Sequence, residues 1–301
     1  MTRRFAALRP LWDVCLALVV LVIVADVGTA LLPGVSNLGP PGGSAAIPVV
    51  VAVFVVLMGL VAVAPRAEDE GPVTLAAPVR GRWVAMNSPG QKVPSHGTRT
   101  RGQLGAVDLC SPADDTAPAL VRWGLRGNRP QDYACYGEPI RSMAAGTVVR
   151  VRDGQRDHRA RNTWQALLFM LTIEGFVREM GGSARVLGNH VVVDHGDGTF
   201  AAYAHLRRGS AVVAVGESVE VGQRLGEVGN TGNTSMPHLH VQLMDRVAVD
   251  AAAGIVMTWS DIEPTGELDA QLEAYAKDPA DSAVPTMPRN GEIFVVAHDS
   301  T

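Results

Sequence analysis

Every long unbroken apolar run of this 301-residue chain lies before residue 65. "LWDVCLALVVLVIVADVGTALL" (Leu11 to Leu32) is interrupted only by Asp13 and Asp26, and "AIPVVVAVFVVLMGLVAVA" (Ala46 to Ala64) carries no charge. A helix needs about 20 apolar residues to cross the hydrocarbon core of a bilayer. Two transmembrane helices are therefore predicted, at about 11–32 and 46–64, behind a basic tail at 1–10 and ahead of a linker at 66–79. A buried hydrophobic hairpin competes with that reading, but the charge-free second run argues against it. A signal peptide would also explain the first run, yet no convincing small-residue cleavage site accompanies it.

From residue 80 onward the texture changes to short, Val-rich alternating runs punctuated by glycine. "GTVVRVRDG", "NHVVVDHGDGTFAAYAHL", "SAVVAVGESVEVGQRLGEVGN" and "HLHVQLMD" read as strands joined by tight turns. "HGDGT" is a hairpin signal, because Asp-Gly accepts the positive φ such turns demand. The expected fold is mainly β, an antiparallel sandwich or barrel-like domain over 80–301, with "GIVMTWSDIE" and "GEIFVVAHD" as further strands closing the sheet. One segment breaks the pattern: "RNTWQALLFMLTIEGFVREMGG" (161–182) has apolar residues at helical spacing and a Gly-Gly stop. It is expected as an inserted helix, either a wall or lid beside a cleft or a cover for an open sheet face. Its Trp164, Phe169, Met170 and Phe176 are expected to pack.

The charge balance, 26 basic against 30 acidic residues, gives no nucleic-acid surface, and no nucleotide loop is present. Orientation in a membrane is less direct. Arg3, Arg4 and Arg9 favour a cytoplasmic N-terminus, and two crossings would return the large domain to the cytoplasm. A disulfide between Cys110 and Cys135 would argue for an oxidising, extracytoplasmic setting, and two free thiols fit the sequence equally well.

The chemistry-bearing residues are histidines. In "PHLHVQ", His238 and His240 stand two apart, so on an extended strand both imidazoles point to one face. His205 ends the strand in "YAHL", and His96 lies in "VPSHGTRTRGQLGAVDLC". In the same stretch Asp108 sits between apolar neighbours, where a buried carboxylate must be paired, hydrogen-bonded or metal-bound. Four imidazoles and one carboxylate fit a catalytic zinc site, which takes three protein ligands and leaves a fourth position for water. The metal draws that water's pKa towards roughly 7. His190 and His195 read as strand and hairpin residues, while His158 and His298 lie outside these motifs.

The run "GNHVVVDHGDGTFAAYAHL" followed by "GESVEVGQRLGEVGNTGNTSMPHLHVQL" resembles the lysostaphin/LytM-type zinc metallopeptidases, endopeptidases that cut peptide cross-links of bacterial peptidoglycan. The resemblance extends from about Pro94 to Asp245. It implies one zinc held by His96, Asp108 and His240, with His205 and His238 as the catalytic imidazoles. It also implies cell-wall peptides as substrate and a membrane-anchored, multi-pass protein of the bacterial cell membrane with its catalytic domain outside the cytoplasm, against the arginine count. Two departures stand out. Eleven residues separate His96 from Asp108 where the family has three, and the helical insertion at 161–182 bears on which substrate is taken. A catalytically silent module that binds wall or activates another hydrolase is the first alternative, and the filled ligand set speaks against it. A sugar-phosphotransferase carrier domain is the second, opposed by Asp108 and the Pro-His-Leu-His ending. Oligomeric state is left open.

Overall fold

The structure, a computed structural model, describes residues 1–30, 47–68 and 71–296. Three helices open the chain: Thr2–Ala7 (α1), Arg9–Ala30 (α2) and Ile47–Val61 (α3). Among the described helices, one stretch, Arg9–Val27, is long and apolar enough to cross a membrane. The second expected helix forms, but its 15 described residues give about 22 Å of apolar helix, short of a roughly 30 Å core. Ala46, where that helix was expected to begin, and Leu31 and Leu32 of the first lie outside the described residues. The two helices return the chain to its starting side, since Arg9 donates to the Val63 carbonyl at 3.2 Å.

The rest is mainly antiparallel β, as the alternation predicts. The strands are Val73–Leu75 (β1), Gly81–Met86 (β2), Val107–Cys110 (β3), Pro139–Arg141 (β4), Gly146–Arg152 (β5), His190–Asp194 (β6) and Phe200–Ala204 (β7). They continue with Ser218–Val219 (β8), Arg224–Glu227 (β9), Leu239–Met244 (β10), Gly254–Ile255 (β11), Met257–Trp259 (β12), Ile262–Leu268 (β13) and Glu292–Val296 (β14). One large sheet runs β13-β14-β2-β3-β10-β7-β6-β5-β8, with β11 on β10. Its path is open at both ends, and two small pairs, β1-β12 and β4-β9, stand apart from it. The expected tail strands form, and β14 pairs β2 to extend the sheet. "HGDGT" makes the β6–β7 hairpin, with Gly196 and Gly198 both at positive φ.

The period of two decides what each face does. On β3, β7 and β10 the residues Val107, Leu109, Tyr203, Leu239, Val241 and Leu243 are buried in one core with Ile140 and Leu225 of the β4-β9 pair. The intervening residues, among them Ala202, Ala204 and Met244, belong to a second, smaller cluster on the other face. Asp108, His240 and Gln242 fall at those same alternate positions. Cys110 and Cys135 are buried free thiols, which resolves the disulfide question for this structure. Burial pushes both thiols up from their ordinary range.

The inserted helix covers residues 164–180, inside the expected 161–182, with a wider turn at Met170–Glu174 between its two α-helical halves. Thr163 caps it, accepting from the Ala166 backbone N–H. The expectation that Trp164, Phe169, Met170 and Phe176 pack is corrected for two of them: Trp164 and Phe169 are exposed, while Met170 and Phe176 are half-buried beside Val20 of α2. The reason is that the helix is held to the domain largely by polar side chains, with Glu174 on Arg161 and Glu179 on Arg101.

Tyr203 ties the two layers together, because its hydroxyl accepts from the backbone N–H of Met143 at 2.7 Å in a site closed to water. Tyr203→Phe leaves that N–H buried and unpaired and should cost about 1–3 kcal/mol, read as a lowered urea midpoint with an unchanged slope.

Candidate metal centre

Strand register brings the residues together. β10 lies between β3 and β7, and His240 sits directly opposite Asp108 on one side and Ala204 on the other. Ala204 is too small to fill the space above it, so the imidazole and carboxylate meet across the ladder. His240 Nδ1 lies 2.8 Å from an Asp108 oxygen. His238, just before β10, faces the same carboxylate, its Nε2 3.6 Å from that oxygen. The His-x-His pair thus shares one face, as strand geometry requires.

His96 arrives from a loop. Its Nε2 lies 3.2 Å from each Asp108 oxygen, and its ring stands edge-on to that of His240 with centroids 4.9 Å apart. The eleven-residue separation is accommodated because the loop closes on itself. Ser95 donates its backbone N–H to Leu104 at 3.0 Å and its hydroxyl to the Ala106 carbonyl at 2.6 Å. The chain therefore leaves and returns beside β3, and His96 stands in front of Asp108.

His205 follows β7 with a left-handed φ of 63°, which turns its ring out of the strand. Its centroid is 4.8 Å from that of His238 and 5.7 Å from that of His240. His205 Nδ1–H donates to the Thr231 carbonyl at 2.7 Å, and His238 Nδ1–H donates to the Met236 carbonyl at 2.8 Å. Both rings therefore hold an uncommitted Nε2. Burial pushes both imidazoles down from their ordinary range, reinforced for His205 by its histidine neighbours, so both are neutral at pH 7.

Asp108 is the electrostatic centre. Burial opposes its ionisation, but His96 and His238 beside it and the hydrogen bond to His240 hold it well below the usual carboxylate range. Burial would also lower His240, and its hydrogen bond and attraction to Asp108 raise it instead. Asn87 donates to the second Asp108 oxygen at 2.8 Å.

His96, Asp108 and His240 each offer a ligand atom, all within 4.8 Å of one another. A tetrahedral zinc with arms of about 2.0–2.1 Å has edges of roughly 3.3 Å between ligand atoms. The 3.2 Å and 2.8 Å separations from Asp108 are close to those edges. The donor set, two imidazoles and one carboxylate, also suits a divalent cation.

One contributor escaped the sequence reading. Gln242 accepts from His240 Nε2 at 2.9 Å, which leaves Nδ1 as the nitrogen turned to Asp108, and donates to the Arg101 carbonyl at 2.7 Å. Its position two residues beyond His240, on the same strand face, is the signal that identifies it. His190, His195 and His158 bond to backbone carbonyls away from this cluster. His298 lies outside the described residues.

Residues 171–251 match the model of peptidase family M23, a stretch that holds His205, His238 and His240. The chain is 44% identical over 59 residues, 20% of its length, to the peptidoglycan DD-endopeptidase ShyA of Vibrio cholerae. It is 39% identical over 121 residues, 40% of its length, to the cell division protein DipM of Caulobacter vibrioides. These matches span only 13% and 17% of the two relatives. Among solved structures, a zinc-containing peptidase from Vibrio cholerae is 20% identical, with 63% of this chain and 39% of that one covered at a TM-score of 0.29. Residues 171–251 are thus similar to peptidase family M23.

Proposed function

We propose that this protein is a membrane-anchored zinc endopeptidase that hydrolyses peptide bonds in bacterial peptidoglycan. The observation that carries the reading is the convergence of His96, Asp108 and His240 beside two neutral, buried imidazoles with free Nε2 atoms. The relatives named peptidoglycan endopeptidases supply the substrate class. In this reading His96, Asp108 and His240 hold the metal, and His205 and His238 are the catalytic residues. A bound zinc would polarise the scissile carbonyl and acidify water at the open position.

The chain's own residues supply the proton traffic. Water adds its oxygen to the carbonyl carbon, and its proton passes to an uncommitted Nε2 of His205 or His238. That nitrogen, now a donor, hands the proton to the amide nitrogen as the C–N bond breaks, which releases a carboxylate and an amine. The backbone carbonyls of Thr231 and Met236 keep both rings turned so that Nε2 faces the reacting atoms.

The anchor in this reading is the α2–α3 hairpin, with the peptidase domain over residues 80–301 outside the cytoplasm. The N-terminal arginines that count against this side are engaged locally. Arg3 pairs with Asp245 at 2.6 Å, and Arg9 reaches the Val63 carbonyl. N-terminus and domain therefore share one side, as two crossings require.

Full-length protein purified in detergent and offered zinc should retain about one ion per chain, and His96→Ala or His240→Ala should lower that occupancy sharply in elemental analysis. A wild type that takes up none would replace the enzyme with a silent wall-binding module. His205→Ala and His238→Ala should keep the metal but release peptide amines from purified peptidoglycan about 10²–10⁴-fold more slowly; undiminished rates would remove both from the catalytic role. Ser95→Ala should loosen the His96 loop and weaken zinc binding by about 10–100-fold in competition with a chelator, while thermal unfolding of the metal-free protein moves little.

A further inference from the structure

The inserted helix is built the wrong way round for a helix on a water-facing surface. A helix on a soluble domain turns its apolar side chains inward. Here Glu174, held by Arg161 at 2.7 Å, and Glu179, paired with Arg101, make the ionic contacts with the domain, and of the larger apolar side chains Met170 and Phe176 turn inward, beside Val20 of α2. Trp164, Leu168, Phe169, Leu171, Ile173 and Val177 are left outside, with Leu168 64% and Leu171 69% exposed. In water an apolar patch of that extent is unfavourable and marks a partner surface.

The position of the helix says what the partner is. Its C-terminal half lies against α2, the helix long and apolar enough to cross a membrane. Buried Arg101 joins the two, pairing with Asp13 of α2 at 3.3 Å and with Glu179 of the inserted helix. Further along, Val20 of α2 lines a cavity of about 560 Å³ together with Met170, Leu171, Phe176 and Asn233. Asp13 is the last charged residue of α2 before Asp26, so its apolar stretch begins at Val14. Val20 lies six residues further in, about 9 Å along the axis. Leu171 and Phe176 therefore lie beside the apolar part of α2, past Asp13.

We propose that residues 164–180 form a membrane-interface helix, lying in the outer leaflet beside α2 and seating the catalytic domain against the lipid bilayer. The inference rests on the membrane-anchored reading above and adds a second, non-spanning contact to it. Such helices bury their apolar side some 5–10 Å into the headgroup–acyl boundary, the depth set here by Val20. Asn233, whose Oδ1 is buried without a hydrogen-bond partner, lies on the loop leading to His238, so this contact abuts the catalytic side of the domain.

The test is site-specific photocrosslinking of the full chain in vesicles of phosphatidylethanolamine and phosphatidylglycerol. A diazirine-bearing amino acid replaces Leu171, Ile173, Val22 or Val215, one per variant, and illuminated protein is digested and weighed for lipid adducts. Leu171 and Ile173 should form lipid adducts as Val22 on α2 does, and Val215 on the far strand region should form none. Adducts at Val22 with none at Leu171 or Ile173 would overturn the inference and leave the anchor standing. Crosslinks from Leu171 and Ile173 into protein in place of lipid would overturn it as well, by showing that a second polypeptide covers the face. No adduct at Val22 or at the helix would remove the anchor and this inference together.

Discussion

One carboxylate organises the histidine cluster. Asp108 sits on β3 in the middle of the large sheet, buried, with imidazoles and the Asn87 amide as its polar neighbours. Ionised there, it must be compensated locally, because a buried charge with no partner is far too costly to keep. Compensation comes from four directions: His240 across the ladder, His96 from the loop, Asn87 beyond β2 and His238 before β10. Two of those four, His96 and His240, are imidazoles whose ring nitrogens reach the carboxylate and could share a cation with it. The same electrostatic need that holds the fold together at this point therefore prepares a cation site.

Much of this was legible because the information is local. A strand period of two is written in consecutive residues, so β6, β7 and β10 and the shared face of His238 and His240 follow from the sequence directly. Asp108 announces itself by its apolar neighbours. What could not be read depends on distant residues. Arg101 looks like one basic residue of the exposed-looking run "GTRTRGQ", yet it is buried against Asp13, Glu179 and Asp250, which lie 88, 78 and 149 positions away. The Ser95 hydrogen bonds that deliver His96 are equally silent, because a serine next to a histidine has no characteristic pattern. The inserted helix was located correctly, but Trp164 and Phe169, expected to pack, are exposed. Hydrophobic spacing reports that an apolar surface exists, and leaves open which surroundings it faces.

Arg101 connects these parts. Its side chain gathers α2, the inserted helix and the turn at Val249–Ala251 through Asp13, Glu179 and Asp250. Its backbone carbonyl accepts from Gln242, the residue that orients His240. The left-handed φ of 56° at Arg101 is what lets one residue present its carbonyl to the sheet and its guanidinium to the helices. The apolar helix α2, the inserted helix and the strand that carries His240 therefore meet at a single loop residue, five positions from His96.

This arrangement also reinterprets the charges of the first apolar segment. Arg9 and Asp13 would be expensive in a hydrocarbon core. Both are buried, Asp13 against Arg101 and Arg9 against the end of the second helix at the Val63 carbonyl. The start of α2 is thus a protein-facing segment that packs against the domain. α1 and the first turns of α2 lie against the domain's surface, through Arg3 on Asp245 and Asp13 on Arg101. The same contact holds the inserted helix beside α2, through Arg101 and Glu179.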